Sequence, residues 1–208
     1  MGFEFTPFPR MVRYPSTPEK LNQFYNEMLA QDEYGEVVKK FASRGTGGES
    51  GIFGTIDDHD MGMNNGDKTF THAAAAGVAF ADFVGEAPGS SVRRRATEGK
   101  GVYGVKVIDF TDGDVGVVLN EKDGDVEPDM VGDKKAGRSI RKRTAAIFFL
   151  DCRTNKTPWS KGVEGWKKNY NGDFLGEEQW KWLERALANS DAEVNIVVNG
   201  LQVLSRLR

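Results

Sequence analysis

The residues best suited to chemistry stand together at Asp57-Asp58-His59-Asp60, where three carboxylates surround one imidazole. Carboxylates and a neutral imidazole are ligands that hard and borderline divalent metals accept. More oxygen and nitrogen donors follow closely, at Asn64, Asn65, Asp67 and His72. These residue types predict a metal-assisted site for a phosphate ester. A solvated acidic turn with a histidine cap is the alternative that the residue types leave open.

Two apolar stretches are placed to position such a site. Gly51–Ile56 is apolar and β-prone, and it leads directly into the acidic residues. Thr144–Leu150 is the most continuous apolar run of strand type, which predicts a central strand buried on both faces, and it ends in Asp151-Cys152-Arg153. Open α/β folds place their chemistry where buried strands end in polar loops. We therefore expect Arg153 to lie beside the Asp58 loop.

The remaining pattern predicts a layered α/β fold, because strands and helices alternate in the second half of the chain. Thr17 and Pro18 mark the start of a first helix. A helix after Gly176 is expected to turn Trp180, Leu183 and Leu187 inward. The other predicted elements are helices at 34–41 and 69–83, strands at 102–110 and 115–119, and a buried strand at 194–198.

Composition narrows the function classes. A chain of 208 residues fits one domain or most of a larger one, and its net charge of -3 argues against non-specific binding of nucleic acid or anionic lipid. The single cysteine, Cys152, excludes an internal disulfide and is expected to be a buried structural thiol. No apolar run approaches the roughly 20 residues that span a bilayer. Met1–Arg10 lacks the features of a signal peptide, so localisation and oligomeric state stay open.

Three separated stretches resemble one family, the PhoD-like phosphatases (alkaline phosphatase D) of the calcineurin-like metallophosphoesterases. Gly54–Asn64 is similar to the family's Gly-Thr-Trp-Asp-Asp-His loop, with Ile56 in the place of tryptophan. Phe149–Arg153 is similar to its strand that ends in Asp-Thr-Arg. Gly172–Leu183 is similar to its Gly-Asp-Phe-Leu-Gly helix start. The resemblance runs from about Gly51 to Leu204.

The resemblance implies a metallophosphoesterase-like layered sandwich (αββα), which we expect to be incomplete at both ends of this chain. Residues 1–50 are then an N-terminal arm with helices, and residues 51–208 are a partial PhoD-like domain. The implied activity is hydrolysis of phosphomonoesters or phosphodiesters by a metal-activated hydroxide. The alternative is a catalytically incomplete fragment or pseudo-enzyme that keeps the fold without a full metal site.

The resemblance also implies roles for single residues. Asp58 matches a metal-ligand position, and Asp57 and Asn64 are nominated beside it, Asp57 in a supporting role and Asn64 as a ligand or a cap. His59 matches a position that contacts the phosphate and assists the leaving oxygen. Arg153 either binds a phosphate oxygen or pairs with a nearby acid. The implied cofactors are divalent or trivalent metal ions, with calcium, iron, zinc or manganese as candidates.

Overall fold

The structure is a computed structural model that describes residues 17–42, 52–110, 117–120, 143–163, 165–167 and 169–201. The helices are α1 (Pro18–Leu29), α2 (Asp32–Ala42), α3 (Asp58–Met61), α4 (Ala73–Phe83), α5 (Ser91–Thr97) and α6 (Glu177–Ala188). The strands are β1 (Gly104–Asp109), β2 (Val117–Asn120), β3 (Thr144–Leu150), β4 (Lys161–Gly162), β5 (Gly165–Trp166) and β6 (Val194–Asn199).

Four of these strands form one mixed sheet in the order β2-β1-β3-β6. β1 runs antiparallel to β2 and to β3, with Val107 opposite Ala146. β3 and β6 are parallel, with Phe148 opposite Val197, and α6 lies between them in the chain. The carboxyl ends of β3 and β6 therefore meet at one edge of the sheet. The strands β4 and β5 form a separate short hairpin.

Helices cover both faces of the sheet at β3, as the alternation of its side chains shows. Phe149 packs in a cluster with residues of α1, α4 and α5, whereas Phe148 and Leu150 pack in a second cluster with α6. Neighbouring residues of a strand point to opposite faces, so the two clusters lie on opposite sides. This confirms the α/β class and the prediction that β3 is buried on both faces.

The first helix begins as its sequence predicts. The Thr17 hydroxyl accepts a hydrogen bond from the Lys20 N–H, and Pro18 occupies the first turn. Leu21 and Tyr25 are buried, and the Tyr25 ring stacks on Phe83 of α4 at a centroid distance of 4.5 Å. The apolar face of α1 therefore docks this helix on α4.

The fourth helix starts later than predicted. Its expected first residue, Thr69, donates both its N–H and its hydroxyl to the Asp67 side chain, at 3.0 and 2.7 Å. This local turn competes with a helical backbone, because the side chain takes the donors that a helix start presents. α4 therefore begins at Ala73.

The predicted inner face of α6 is wrong in part. Trp180 and Leu187 are 51% and 37% exposed, and of the three predicted residues only Leu183 is buried. The Trp180 indole N–H donates to Asp173 at 2.8 Å, which holds the ring at the surface. The buried face instead consists of Gln179, Trp182, Leu183 and Ala186.

Two strand predictions near the site also need correction. Residues 52–57 are not a strand, and Gly51 lies outside the described residues. The Thr55 hydroxyl lies 3.0 Å from both the Val102 and the Leu150 carbonyl oxygens, so this segment crosses strand ends and does not run along the sheet. β6 is a strand, but its residues are exposed because β6 is the last strand of the described sheet.

Several predictions are not decided by this structure. The N-terminal arm at 1–16 and most of the polar run at 121–143 lie outside the described residues. The described part contains one four-stranded sheet and one two-stranded sheet, so the two-sheet sandwich stays a prediction. None of the described helices combines the length and the hydropathy needed to cross a bilayer.

Candidate functional site

The segment that leads into α3 lies across the carboxyl ends of β3 and β6. The Thr55 hydroxyl reaches the Leu150 carbonyl at the end of β3. After β6, Gly200 comes so close that a Cβ there would stand 3.1 Å from the Ile56 carbonyl oxygen and 3.5 Å from the Asp57 Cβ. The expectation that the Asp58 loop lies beside the end of β3 is therefore confirmed.

The turn after β3 is built on Asp151, which is fully buried. Its carboxylate accepts hydrogen bonds from the Arg153 and Thr154 N–H groups, the Thr154 hydroxyl and the Val102 N–H, at 2.6 to 2.9 Å. Burial raises the pKa of Asp151, and these hydrogen bonds oppose that rise. Gln179 closes the turn, because its amide binds both the N–H and the carbonyl of Asp151. Asp151 thus shapes the turn that carries Arg153.

Gly101 makes this turn possible. Its φ of +118° lies in the left-handed region that side chains avoid. A Cβ at this position would stand 2.7 Å from the Asp151 carboxylate oxygen Oδ2. The missing side chain lets the next residue, Val102, donate its N–H to that oxygen at 2.8 Å.

Arg153 joins the two motifs that the sequence keeps far apart. Its Nε and Nη2 donate to Asp57 Oδ1 at 2.9 and 2.6 Å, and Nη2 lies 3.6 Å from Asp58 Oδ1. The Arg153 side chain is 6% exposed, whereas that of Asp57 is 45% exposed. Of the two roles foreseen for Arg153, the structure shows the ion pair with an acid. Binding of a phosphate oxygen stays a prediction.

Asp58 is buried at the first position of α3. Its Oδ2 accepts the Asn65 N–H at 2.7 Å. Burial by itself would raise the pKa of Asp58, but this hydrogen bond and the charges of Arg153 and His59 lower it below its ordinary value. Asp58 is therefore an ionised carboxylate held in a fixed direction.

The other residues of the acidic stretch point elsewhere. Asp60 accepts the Asp57 N–H at 2.9 Å and faces the Tyr25 hydroxyl at 3.4 Å, and burial raises its pKa. His59 and Asn64 are exposed. Successive residues of a helix point about 100° apart, so α3 turns His59 away from its buried neighbour Asp58. The structure thus brings Asp57, Asp58 and Arg153 together, and leaves Asn64 at the surface.

Lys156 is a charged residue of this region that the sequence did not reveal. It is 1% exposed, its Nζ lies 3.3 Å from the Thr157 carbonyl oxygen, and the same atom lies 4.4 Å from the centre of the Trp159 ring. Burial lowers its pKa, and the charge of the buried Asp67 opposes that change. The surrounding Thr-Asn-Lys-Thr-Pro sequence is polar and resembles an ordinary loop, so nothing in it signals a buried cation.

The described donors do not complete a metal centre. No group of three or more His, Cys, Asp or Glu side chains converges in the part of the chain that the structure describes. The Arg153 guanidinium already stands against Asp57 and Asp58, as a cation bound to these carboxylates would. Of the three nominated ligands, Asp58 alone combines burial with a favoured ionised state, so the metal set stays a prediction.

Comparisons with known proteins do not assign the chain to a family. No family model matches the chain, and neither a curated protein nor a solved structure matches it. The candidate site therefore stands on its geometry and on the resemblance of its motifs.

Proposed function

We propose that this protein is a phosphoric ester hydrolase of the PhoD-like type, acting on phosphomonoesters or phosphodiesters. One observation supports this most: Arg153 meets Asp57 and Asp58 at the carboxyl ends of two parallel strands, although 96 positions separate Asp57 from Arg153. Such a strand-end position is where open α/β sheets hold their ligands. The sandwich fold and the metal requirement are parts of this proposal that rest on the resemblance.

The chain's own residues suit recognition of a phosphoryl group. Arg153 is a guanidinium whose fork matches phosphate oxygens, and the Asp151 turn fixes its backbone. The resemblance implies that His59, which is exposed and which α3 turns away from Asp58, delivers a proton to the leaving oxygen in the proposed reaction. The resemblance implies that bound metal supplies the attacking hydroxide, for which the described residues do not hold the full ligand set.

The test is hydrolysis of p-nitrophenyl phosphate and bis-p-nitrophenyl phosphate, with calcium, iron, zinc or manganese and with a chelator. We expect activity that the chelator removes. Asp58→Ala and His59→Ala should each lower kcat/KM by at least about 100-fold. His72→Ala is the matched control, because His72 is the chain's other histidine and is also exposed. Equal losses in the His59 and His72 variants would contradict the assigned role.

A second candidate is a pseudo-enzyme that keeps the fold and does not turn over esters. The incomplete donor set of the described residues favours it. This candidate predicts no hydrolysis with any of the four metals and no rise in Tm when metal is added. A genuine metal site would raise Tm with metal concentration, because a ligand that binds only the folded state stabilises it.

A further inference from the structure

Two buried cations on one turn have hydrogen-bond donors to spare. Arg153 Nη1 is shielded from solvent and has no hydrogen-bond partner within the described part of the chain. Among the residues that the structure describes, Lys156 Nζ donates one long hydrogen bond of 3.3 Å, although an ammonium has three N–H groups. A buried donor without a partner destabilises the folded state, so such atoms usually have one. Such a pair of groups is expected where a ligand with several acceptor oxygens completes the structure.

The turn keeps these two residues close together. The Lys156 N–H donates to the Arg153 carbonyl at 3.1 Å, and the Asp151 carboxylate accepts the Arg153 N–H. The ammonium of Lys156 also experiences the charges of Asp67, Arg153 and Asp58. The two residues thus share one hydrogen-bonded turn at the carboxyl end of β3.

Asp57 and Asp58 lie against the Arg153 guanidinium, and the charge of Asp67 acts on Lys156. The three carboxylates are held differently. Asp67 is bound twice by Thr69, and Asp58 Oδ2 by the Asn65 N–H. Asp57 differs, because its side chain is 45% exposed and it occupies Nε and Nη2 of Arg153 from the solvent side. An anion from solvent would therefore meet Asp57 before it reaches the guanidinium.

We propose that Arg153 and Lys156 form a binding site for a phosphate dianion, and that the Asp57 carboxylate is the internal anion that this ligand displaces. The inference rests on the proposed function for the class of ligand. It goes further in two respects: it assigns Lys156 as a binding residue, and it makes Asp57 a competitor of the ligand. Displacement is required because Asp57 takes the Nε and Nη2 donors of Arg153. In addition, the two cations and the three carboxylates described above together already carry a net negative charge, which would repel a dianion.

The test is titration of the full chain with inorganic phosphate by calorimetry, at fixed ionic strength and with a chelator present. Lys156→Met and Arg153→Gln should each weaken binding by about tenfold or more, because each removes a charged contact. Asp57→Asn should strengthen binding by about three- to tenfold, since the competing charge is gone while an amide oxygen can still accept from Arg153. Lys181→Met is the matched control, because Lys181 is an exposed lysine paired with Glu177, and it should leave binding unchanged.

Three results would overturn the inference. The first is the absence of phosphate binding to the wild-type chain at millimolar concentration. The second is weaker binding in Asp57→Asn, which would show that Asp57 supports the ligand. The third is equal binding by Lys156→Met and the wild type. Circular dichroism verifies the fold of each variant, and if Arg153→Gln does not fold, the opposite shifts of the other two variants still decide.

The experiment also separates this inference from the proposed hydrolase. Inorganic phosphate has no ester bond to cleave and the chelator removes metal, so binding is measured without turnover. Phosphate binding with the expected pattern but no hydrolysis in the separate assay would support the site and refute the hydrolase. Metal-dependent hydrolysis without tighter binding in Asp57→Asn would support the hydrolase and refute the role of Asp57.

Discussion

The neighbouring parallel strands β3 and β6 both contain apolar runs, but their surroundings are opposite. Phe148 and Phe149 in β3 are each 1% exposed, whereas Ile196 and Val197 in β6 are 43% and 47% exposed. β3 lies between β1 and β6 with helices on both faces, and β6 is the last strand of the described sheet. An apolar run therefore predicts a strand, but its burial depends on what other parts of the chain supply as neighbours.

The largest expected effect is the difference in stability lost when a large side chain is truncated in each of the two strands. Phe148→Ala should lower the free energy of unfolding by about 3–5 kcal/mol, because it leaves a cavity between β3 and α6. Val197→Ala should lower it by less than about 1 kcal/mol, since half of that side chain already contacts water. Urea unfolding at pH 7 measures both. Similar losses would mean that β6 is as well covered as β3.

The next largest effect is the loss of stability when the turn after each of the two strands is disrupted. Asp151→Ala should lower the free energy of unfolding by about 3 kcal/mol, because several buried donors lose their acceptor. Asn199→Ala removes one hydrogen bond, from the Leu201 N–H, and should cost about 0.5–1 kcal/mol. The same urea measurements apply. Equal losses would show that the two turns contribute equally to stability.

A smaller expected effect is the pH dependence of stability that arises from Asp60 in α3, the helix beside both strand ends. Burial raises the pKa of Asp60 above its ordinary value of 3.8, so the folded state holds this proton more tightly than the unfolded state. The resulting stabilisation is complete below pH 3.8 and disappears as pH rises through the raised pKa. Asp60→Asn should therefore gain stability relative to the wild type between pH 4 and pH 7. A constant difference in Tm across that range would refute the assignment.

The smallest expected effect is on the reactivity of a thiol at each strand, not on stability. Burial raises the pKa of the Cys152 thiol to about 11, so almost no thiolate forms at pH 8. In the native chain Cys152 should react slowly with a disulfide reagent. The variant Val198→Cys in a Cys152→Ser background should react at least about tenfold faster, because Val198 is 40% exposed. Equal rates would contradict the difference in exposure between the end of β3 and β6.

Local patterns in the sequence predicted the elements better than their surroundings. The strand at 144–150 and the start of α1 follow from apolar runs and capping residues that need no distant partner. The inner face of α6 could not be predicted as well, because the buried position of Gln179 depends on the Asp151 turn 28 residues earlier. A polar residue that serves a distant backbone looks like a surface residue in the sequence.

The candidate site was predicted in the same uneven way. The meeting of Asp58 with Arg153 followed from the rule that strand ends carry chemistry. An ion pair of Arg153 with a nearby acid was one of its two expected roles. That the acid is Asp57, and that Lys156 is buried, did not follow, since both depend on side-chain directions set by tertiary contacts. His59 and Asn64 were nominated by motif. The short helix α3 sets the exposure of His59, and Asn64 is exposed in the turn that follows this helix.

The close approach of Gly101 to Asp151 has a consequence for comparing sequences. Any related chain that retains the buried aspartate of this turn must also do without a side chain at the equivalent of Gly101, 50 positions earlier. A side chain at the glycine position should therefore occur only in relatives that have lost the aspartate. That coupled pair would identify the turn in a distant relative whose acidic loop has diverged beyond recognition.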